Sequence, residues 1–306
     1  MAGGVINTGT HPALLWPGIK ATWGQIYAEH PEEYVDLYEI GDSDKSYEKF
    51  VGLTGFGLAP VKPEGQPGTY DSEVQGGITT MVHIAYSLGY QVTFEEMEDN
   101  LYEEVGTRRA KANAFSMRQT IENVCAFLYN NAFVTTYFTT WDGAALVSTA
   151  HVNATGGTFS NALNPAADLS ESSLEDMSIQ IMNVQNDRGL RINLMPTTLH
   201  VATANWYNAN RIMKSVLQSA SSNNAINVLK ATNAYPGGIK MNHYFTSPNA
   251  WFARTNCPEG MMMLWRNRPD FRQDNDFPTR NALALAYMRF SVNCVDARGI
   301  FGSNGP

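Results

Sequence analysis

The chain has 306 residues, 43% apolar and 16% charged, a balance that suits one or two packed cores and excludes a disordered protein. Its net charge of -8 excludes a protein built mainly to grip nucleic acid, since neutralising phosphates needs clustered Lys and Arg. No apolar run approaches the roughly 18 residues that span a bilayer, the first ten residues lack an export signal, and Cys125, Cys257 and Cys294 are too scattered for a disulfide frame or metal site, so free thiols are expected.

Residues 1–46 begin with a Gly-containing polar segment. They continue through a short amphipathic piece, Ile19, Trp23, Ile26 and Tyr27, that ends near His30-Pro31, and together they read as an arm. From Tyr47 onward Gly and Pro become dense, flanked by strand-forming residues at Tyr47–Phe56 and Tyr70–Tyr86. This predicts a long twisted hairpin with its tip at Ala59–Thr69, too poor in apolar residues to form a core of its own.

Phe94–Phe133 contains no Pro and orders its charge along the axis, with Glu95, Glu96, Glu98, Asp99, Glu103 and Glu104 before Arg108, Arg109, Lys111 and Arg118. That order suits the helix dipole and four-residue Glu-to-Arg pairing, and predicts one helix about 60 Å long. Its stripe shifts by about half a turn, from Phe94, Met97, Leu101, Val105, Ala112 and Phe115 to Ile121, Val124, Cys125, Leu128 and Ala132. The alternative is two helices broken near Gly106 or Ser116.

Tyr137–Asn161 is rich in Thr, Gly and Ser. Ser170 then reads as the N-cap of a helix with Leu169 and Leu174 as its staple, Leu174, Met177, Ile181 and Val184 as its buried face, and Gly189 as its terminator. Leu190, Ile192 and Leu194 alternate as a strand, Thr198–Val201 make another, and Asn205–Gln218 predict a helix with Trp206, Ala209, Met213 and Val216 or Leu217 inward. After a polar loop at Ser219–Asn227, Tyr235–Gly238 is a turn and Ile239–Phe245 with Ala250–Arg254 reads as a hairpin. Met261–Met263 read as core or subunit contact, and Asn281–Val295 as a long strand burying Ala286, Met288, Phe290, Val292 and Cys294.

No phosphate loop, Cys-x-x-Cys, His-Glu-x-x-His or nucleophile elbow is present, so no cofactor, metal or catalytic residue is expected. The adjacent acids Glu95-Glu96 and Glu103-Glu104 point about 100° apart and form a solvated helix face. Six scattered histidines read as structural. His151 with Asp142 is the pair on which a hydrolase alternative would rest.

The order arm, Gly/Pro-rich hairpin, very long helix, α/β unit and returning strand resembles the major capsid proteins of tailed bacteriophages with the Hong Kong 97-type fold. So do Trp141-Asp142-Gly143, Thr149-Ala150-His151, Gly156-Gly157, Asp168-Leu169-Ser170, Asp187-Arg188-Gly189-Leu190, Asn249-Ala250-Trp251-Phe252, Arg289-Phe290-Ser291 and Asp296-Ala297-Arg298-Gly299. The resemblance covers about residues 15–303. It implies an α+β fold with an N-terminal arm (1–46), an extended loop (47–93), a peripheral domain with the spine helix (94–150), an axial domain (151–278) and a return strand (279–306).

It also implies a non-enzymatic shell protein that self-assembles as hexamers and pentamers into an icosahedral phage head in the host cytoplasm, enclosing double-stranded DNA without sequence specificity. Portal and decoration proteins would be partners. Because no long charged segment precedes the arm, scaffolding would come from a separate protein or be absent. Lys62, Glu64, Arg108, Arg109, Tyr235, Gly237 and Gly238 are the candidate inter-subunit contacts. Lys62 alone does not establish the covalent crosslinking of some relatives. The alternatives are an encapsulin-like nanocompartment and the cytosolic hydrolase.

Overall fold

The computed structural model describes residues 16–99, 102–218, 225–276 and 278–305. Its elements in chain order are α1 (Trp16–Glu29), α2 (Tyr34–Leu37), β1 (Glu39–Asp42), β2 (Tyr47–Leu53), β3 (Gln75–Val82), β4 (Ile84–Val92), α3 (Phe94–Glu98), α4 (Tyr102–Asn130), β5 (His151–Val152), β6 (Thr158–Phe159) and α5 (Glu171–Met182). They continue with β7 (Pro196–Ala202), α6 (Trp206–Lys214), α7 (Val228–Ala231), β8 (Ile239–Asn242), β9 (Ala250–Thr255), β10 (Met261–Asn275), β11 (Ala282–Cys294) and β12 (Ile300–Asn304).

Helix α4 runs unbroken for 29 residues, about 44 Å, through both Gly106 and Ser116. The expected single helix from Phe94 differs at its start: α3 ends at Glu98, Asp99 is in a turn, and Asn100 and Leu101 lie outside the described residues. The C-terminal stripe is as expected, with Ile121, Cys125, Leu128 and Ala132 buried. In the N-terminal half the buried face is Ala110, Ala114 and Met117, while Ala112 and Phe115 face outward. Small alanines there let α1 approach closely. Trp23 of α1 donates its indole N–H to Asn113 at 2.9 Å and stacks on Phe271 of β10. The amphipathic piece read as part of an arm is therefore a helix inside the main core, with Ile19 and Trp23 buried.

Four strands in the order β1-β10-β11-β4 form the sheet that α4 covers, with β1 and β10 parallel and the other pairs antiparallel. Strand β11 alternates as its sequence predicts from Ala282 to Phe290, with Ala286, Met288 and Phe290 inward and Cys294 buried beyond them, but Val292 is only partly buried and its neighbour Ser291 is buried instead. Met261, Met262 and Met263 are buried at the start of β10.

The second sheet has the order β12-β9-β7-β8 and a separate core formed with α5, α6 and α7. Ser170 caps α5 as expected, accepting from the Ser173 amide while Ser173 returns the bond, and Leu169 and Leu174 are buried. Gly189 does not end this helix. It closes the next turn at φ 74°, donating to Asn186. The expected strand at Leu190–Leu194 is reduced to one bridge, Gln185 with Arg191. Helix α6 stops at Lys214, which leaves Val216 and Leu217 exposed, and Ser219–Asn224 lie outside the described residues.

Strands β8 and β9 do not form the expected hairpin. β7 lies between them, parallel to β8 and antiparallel to β9, because its central residues are buried on both faces and its backbone pairs on both edges. The expected axial segment 151–278 is likewise divided: β10 belongs to the α4 sheet, and the last strand, β12, belongs to the other. The two crossovers touch where Gly260 meets Gly299. A Cβ built on Gly299 would lie 2.4 Å from the Gly260 Cα, so only glycine lets the two backbones pass. No helix among the described residues is long and apolar enough to cross a membrane.

Candidate assembly interface

The hairpin β2–β3 is a two-stranded sheet of its own, rooted on the α4 sheet by Met81, which packs with Met262 and Leu264 of β10. A second anchor is Gly77. Its α-carbon faces the Trp141 ring so closely that a Cβ would fall 2.0 Å from the indole. Pairing stops at Leu53 and Gln75, giving a loop of residues 54–74 that begins before the expected tip at Ala59.

Few bonds hold this loop. The Thr54 amide donates to the Val74 carbonyl at 3.2 Å, and the Gly57 and Ser72 amides donate to Asp71 at 2.8 Å, which holds its carboxyl below the ordinary range. Arg188, in the turn after α5, reaches across to Asp71 at 3.5 Å and to the Ser72 carbonyl. Every residue from Phe56 to Gln75 is exposed, and the apolar side chains Leu58, Val61 and Tyr70 are 81%, 94% and 97% exposed. Leu53 and Phe56 add to the same surface. Apolar groups concentrated on a projection that its own subunit leaves uncovered mark an interaction surface.

The seven contact candidates do not converge. Lys62 and Glu64 are at the exposed loop tip, and Arg108 is exposed on α4. Arg109 is committed inside the subunit: its guanidinium grips both oxygens of Glu96 at 2.9 and 3.0 Å and donates to the Gln91 carbonyl, fastening α3 and the end of β4 to α4. Tyr235 is 2% exposed beneath α5, its hydroxyl 3.3 Å from Ser178, with burial pushing the phenol up to about 12. Its ring fills the subunit's own core. Gly237 and Gly238 form the turn beside β7, where Gly237 lies against Thr197 and Thr198 and Gly238 has φ 73°. Leu58 and Tyr70, apolar residues that flank the expected tip in a Gly/Pro-rich stretch, and Val61 within it are not among the seven candidates.

His151 and Asp142 do meet, Nδ1 to Oδ2 at 3.0 Å, and both are buried. The other ring nitrogen faces Asn161 Oδ1 at 3.1 Å, and the ring stacks on Phe159. Asn161 is fixed in turn by donating to the carbonyls of Leu146, Ala297 and Ile300. Burial pushes the Asp142 carboxyl upward, but bonds from the Thr140 hydroxyl, the Val152 and Ala144 amides and His151 outweigh it and lower its pKa. With both imidazole nitrogens engaged, the pair acts as a structural clip between the loop after α4 and β5. Arg298 completes the clip from the chain's end, donating to Asn153, Asp187 and the Gln185 carbonyl. Among the described residues no group of three or more His, Cys, Asp or Glu could hold a metal ion, and the three cysteines are free thiols.

A family model described as phage capsid protein matches residues 79–302. No curated protein matches the chain in sequence. Solved structures with similar backbones include the capsid of Ralstonia phage GP4, at a TM-score of 0.55 and 10% identity over 90% of this chain and 88% of that one. The capsid of Myoviridae phage XM1 gives 0.52 and 11% over 87% and 90%. The virus-like particle from Pyrococcus furiosus gives 0.51 and 11% over 94% and 98%.

Proposed function

This chain belongs to the phage capsid protein family and has the Hong Kong 97-type fold, and from that premise we propose that it is the major head subunit, assembling as hexamers and pentamers into an icosahedral shell around double-stranded DNA. A structural capsid protein performs its function through contacts between copies. The observation that supports this reading is the loop at 54–74, whose apolar side chains have no cover within the subunit. A neighbouring copy supplies that cover, and closing a shell sums many such weak contacts into one cooperative total.

In this reading the α4 sheet with α1 is the peripheral unit, and the β12-β9-β7-β8 sheet with α5–α7 is the axial unit. Assembly takes place in the host cytoplasm, with separate scaffolding, portal and decoration proteins as partners. The acidic chain contacts the packaged polyanion without gripping it.

Electron microscopy of the purified full chain tests the proposal. Closed shells or capsomer rings at high concentration support it, and a monodisperse monomer at all concentrations overturns it. The contents of particles from infected cells separate a phage head, which holds DNA, from a nanocompartment, which holds an enzyme.

A further inference from the structure

Three segments of chain meet at Glu122 on α4. The residue is 1% exposed, and its Oε1 accepts the Glu33 amide at 3.0 Å from the linker between α1 and α2. Its other oxygen, Oε2, is buried without a hydrogen-bond partner. The Glu33 carboxylate is engaged on its far side by the backbone and ring of His243, which follows β8 in the second sheet.

The polar groups around this point offset that burial only in part: the Glu33 and Tyr34 amides and the Arg118 charge favour the ionised form, and desolvation outweighs them. Arg118, one turn back on α4, directs its guanidinium to Glu32 at 2.7 Å, to the Tyr27 carbonyl at 3.0 Å and over the Tyr27 ring. Tyr34 faces the site from α2, Cys125 from α4, and Tyr244, bonded to Gln119, from beyond β8. Burial holds the Tyr27 and Tyr34 phenols and the Cys125 thiol well above their ordinary values, so these groups stay neutral. An ionised Glu122 would thus be a buried charge with one oxygen unbonded beside a second carboxylate, whereas the protonated form leaves only a neutral polar atom unpaired, a smaller penalty.

We propose that Glu122 is a proton-operated joint. Protonated, it lets the α1–α2 linker and the segment after β8 close on α4, and ionised, it loosens both. Desolvation, opposed by the Glu33 and Tyr34 amides and by Arg118 and reinforced by the Glu33 charge, pushes its pKa up to about 7 from an ordinary 4.5. Between those values the folded chain holds a proton that the unfolded chain has released. The stabilisation is therefore full below about 4.5, falls as pH rises toward about 7, and is flat above. The joint connects the helix of the first core to the N-terminal helices and to the second sheet, so proton uptake sets how firmly the three are held together.

Hydrogen exchange of the full chain at pH 5 and pH 8, corrected for intrinsic amide chemistry, tests the joint. Protection at residues 29–38 and 242–246 should fall on the order of tenfold or more at pH 8 in the wild type. Glu122→Gln should keep its protection at both values, and His243→Gln should retain the pH dependence. Equal protection at both values in the wild type overturns the proposal, as does pH dependence that survives in Glu122→Gln or disappears in His243→Gln. Should Glu122→Gln not fold, Glu33→Gln takes its place. Removing the neighbouring charge should move the midpoint to lower pH, and an unmoved midpoint overturns the proposal.

Discussion

Helix α4 and the loop at 54–74 treat their apolar side chains in opposite ways. On the inner face of α4 the chain covers its apolar groups: Met117, Ile121 and Cys125 are sealed by α1, α2 and the sheet, while Phe115 and Phe127 stay exposed on the other side, and even the backbone is engaged, with Tyr38 donating to the Cys125 carbonyl at 2.6 Å and Tyr129 to that of Leu37 at 2.8 Å. Around the loop no described residue covers Leu58, Val61 or Tyr70. In the proposed reading the α4 core serves the stability of the subunit and the loop serves association. A change in either region should leave the other property nearly untouched.

The largest effect on stability should come from Ile121→Ala, which empties a fully buried site and should cost about 2–5 kcal/mol in urea unfolding. A loss under about 1 kcal/mol would mean that α4 is not the centre of the core. Gly299→Ala should follow at about 1–3 kcal/mol, because the added methyl collides with the Gly260 backbone rather than with a side chain that can turn away. Arg188→Ala should cost below about 1 kcal/mol, since its pairing with Asp71 is partly exposed, yet hydrogen exchange at residues 56–72 should accelerate. Smallest for the fold should be the double variant Leu58→Ser with Tyr70→Ser, within about 0.5 kcal/mol of wild type in thermal melting, while particle yield falls sharply. Particles at wild-type yield would detach the apolar loop from assembly.

What was legible in the sequence was local. The capping residues of α5 and the two-residue period of β11 lie within a few positions of one another, so both elements were readable, and the Gly/Pro density marked the loop. Features set by distant chain were not. The insertion of β7 between β8 and β9 depends on a strand some 40 residues earlier than β8 pairing on both edges, so sequence adjacency pointed to a false hairpin. The outward turn of Ala112 and Phe115 reflects the arrival of α1 from about 90 positions away, as the Trp23–Asn113 bond illustrates. The fate of Tyr235 was hidden for the same reason, since only α5 decides whether a turn tyrosine points out or in.

The division of labour between α4 and the loop is tested most directly by deleting residues 59–69, joining the strands through a short turn, and measuring the same sample twice. Thermal melting followed by circular dichroism should show a folded subunit within a few kcal/mol of wild type, because surface loops tolerate shortening. Sedimentation and negative-stain microscopy should show that shells no longer form. Intact shells from the deletion variant would contradict the account, and an unfolded variant would place the loop in the core.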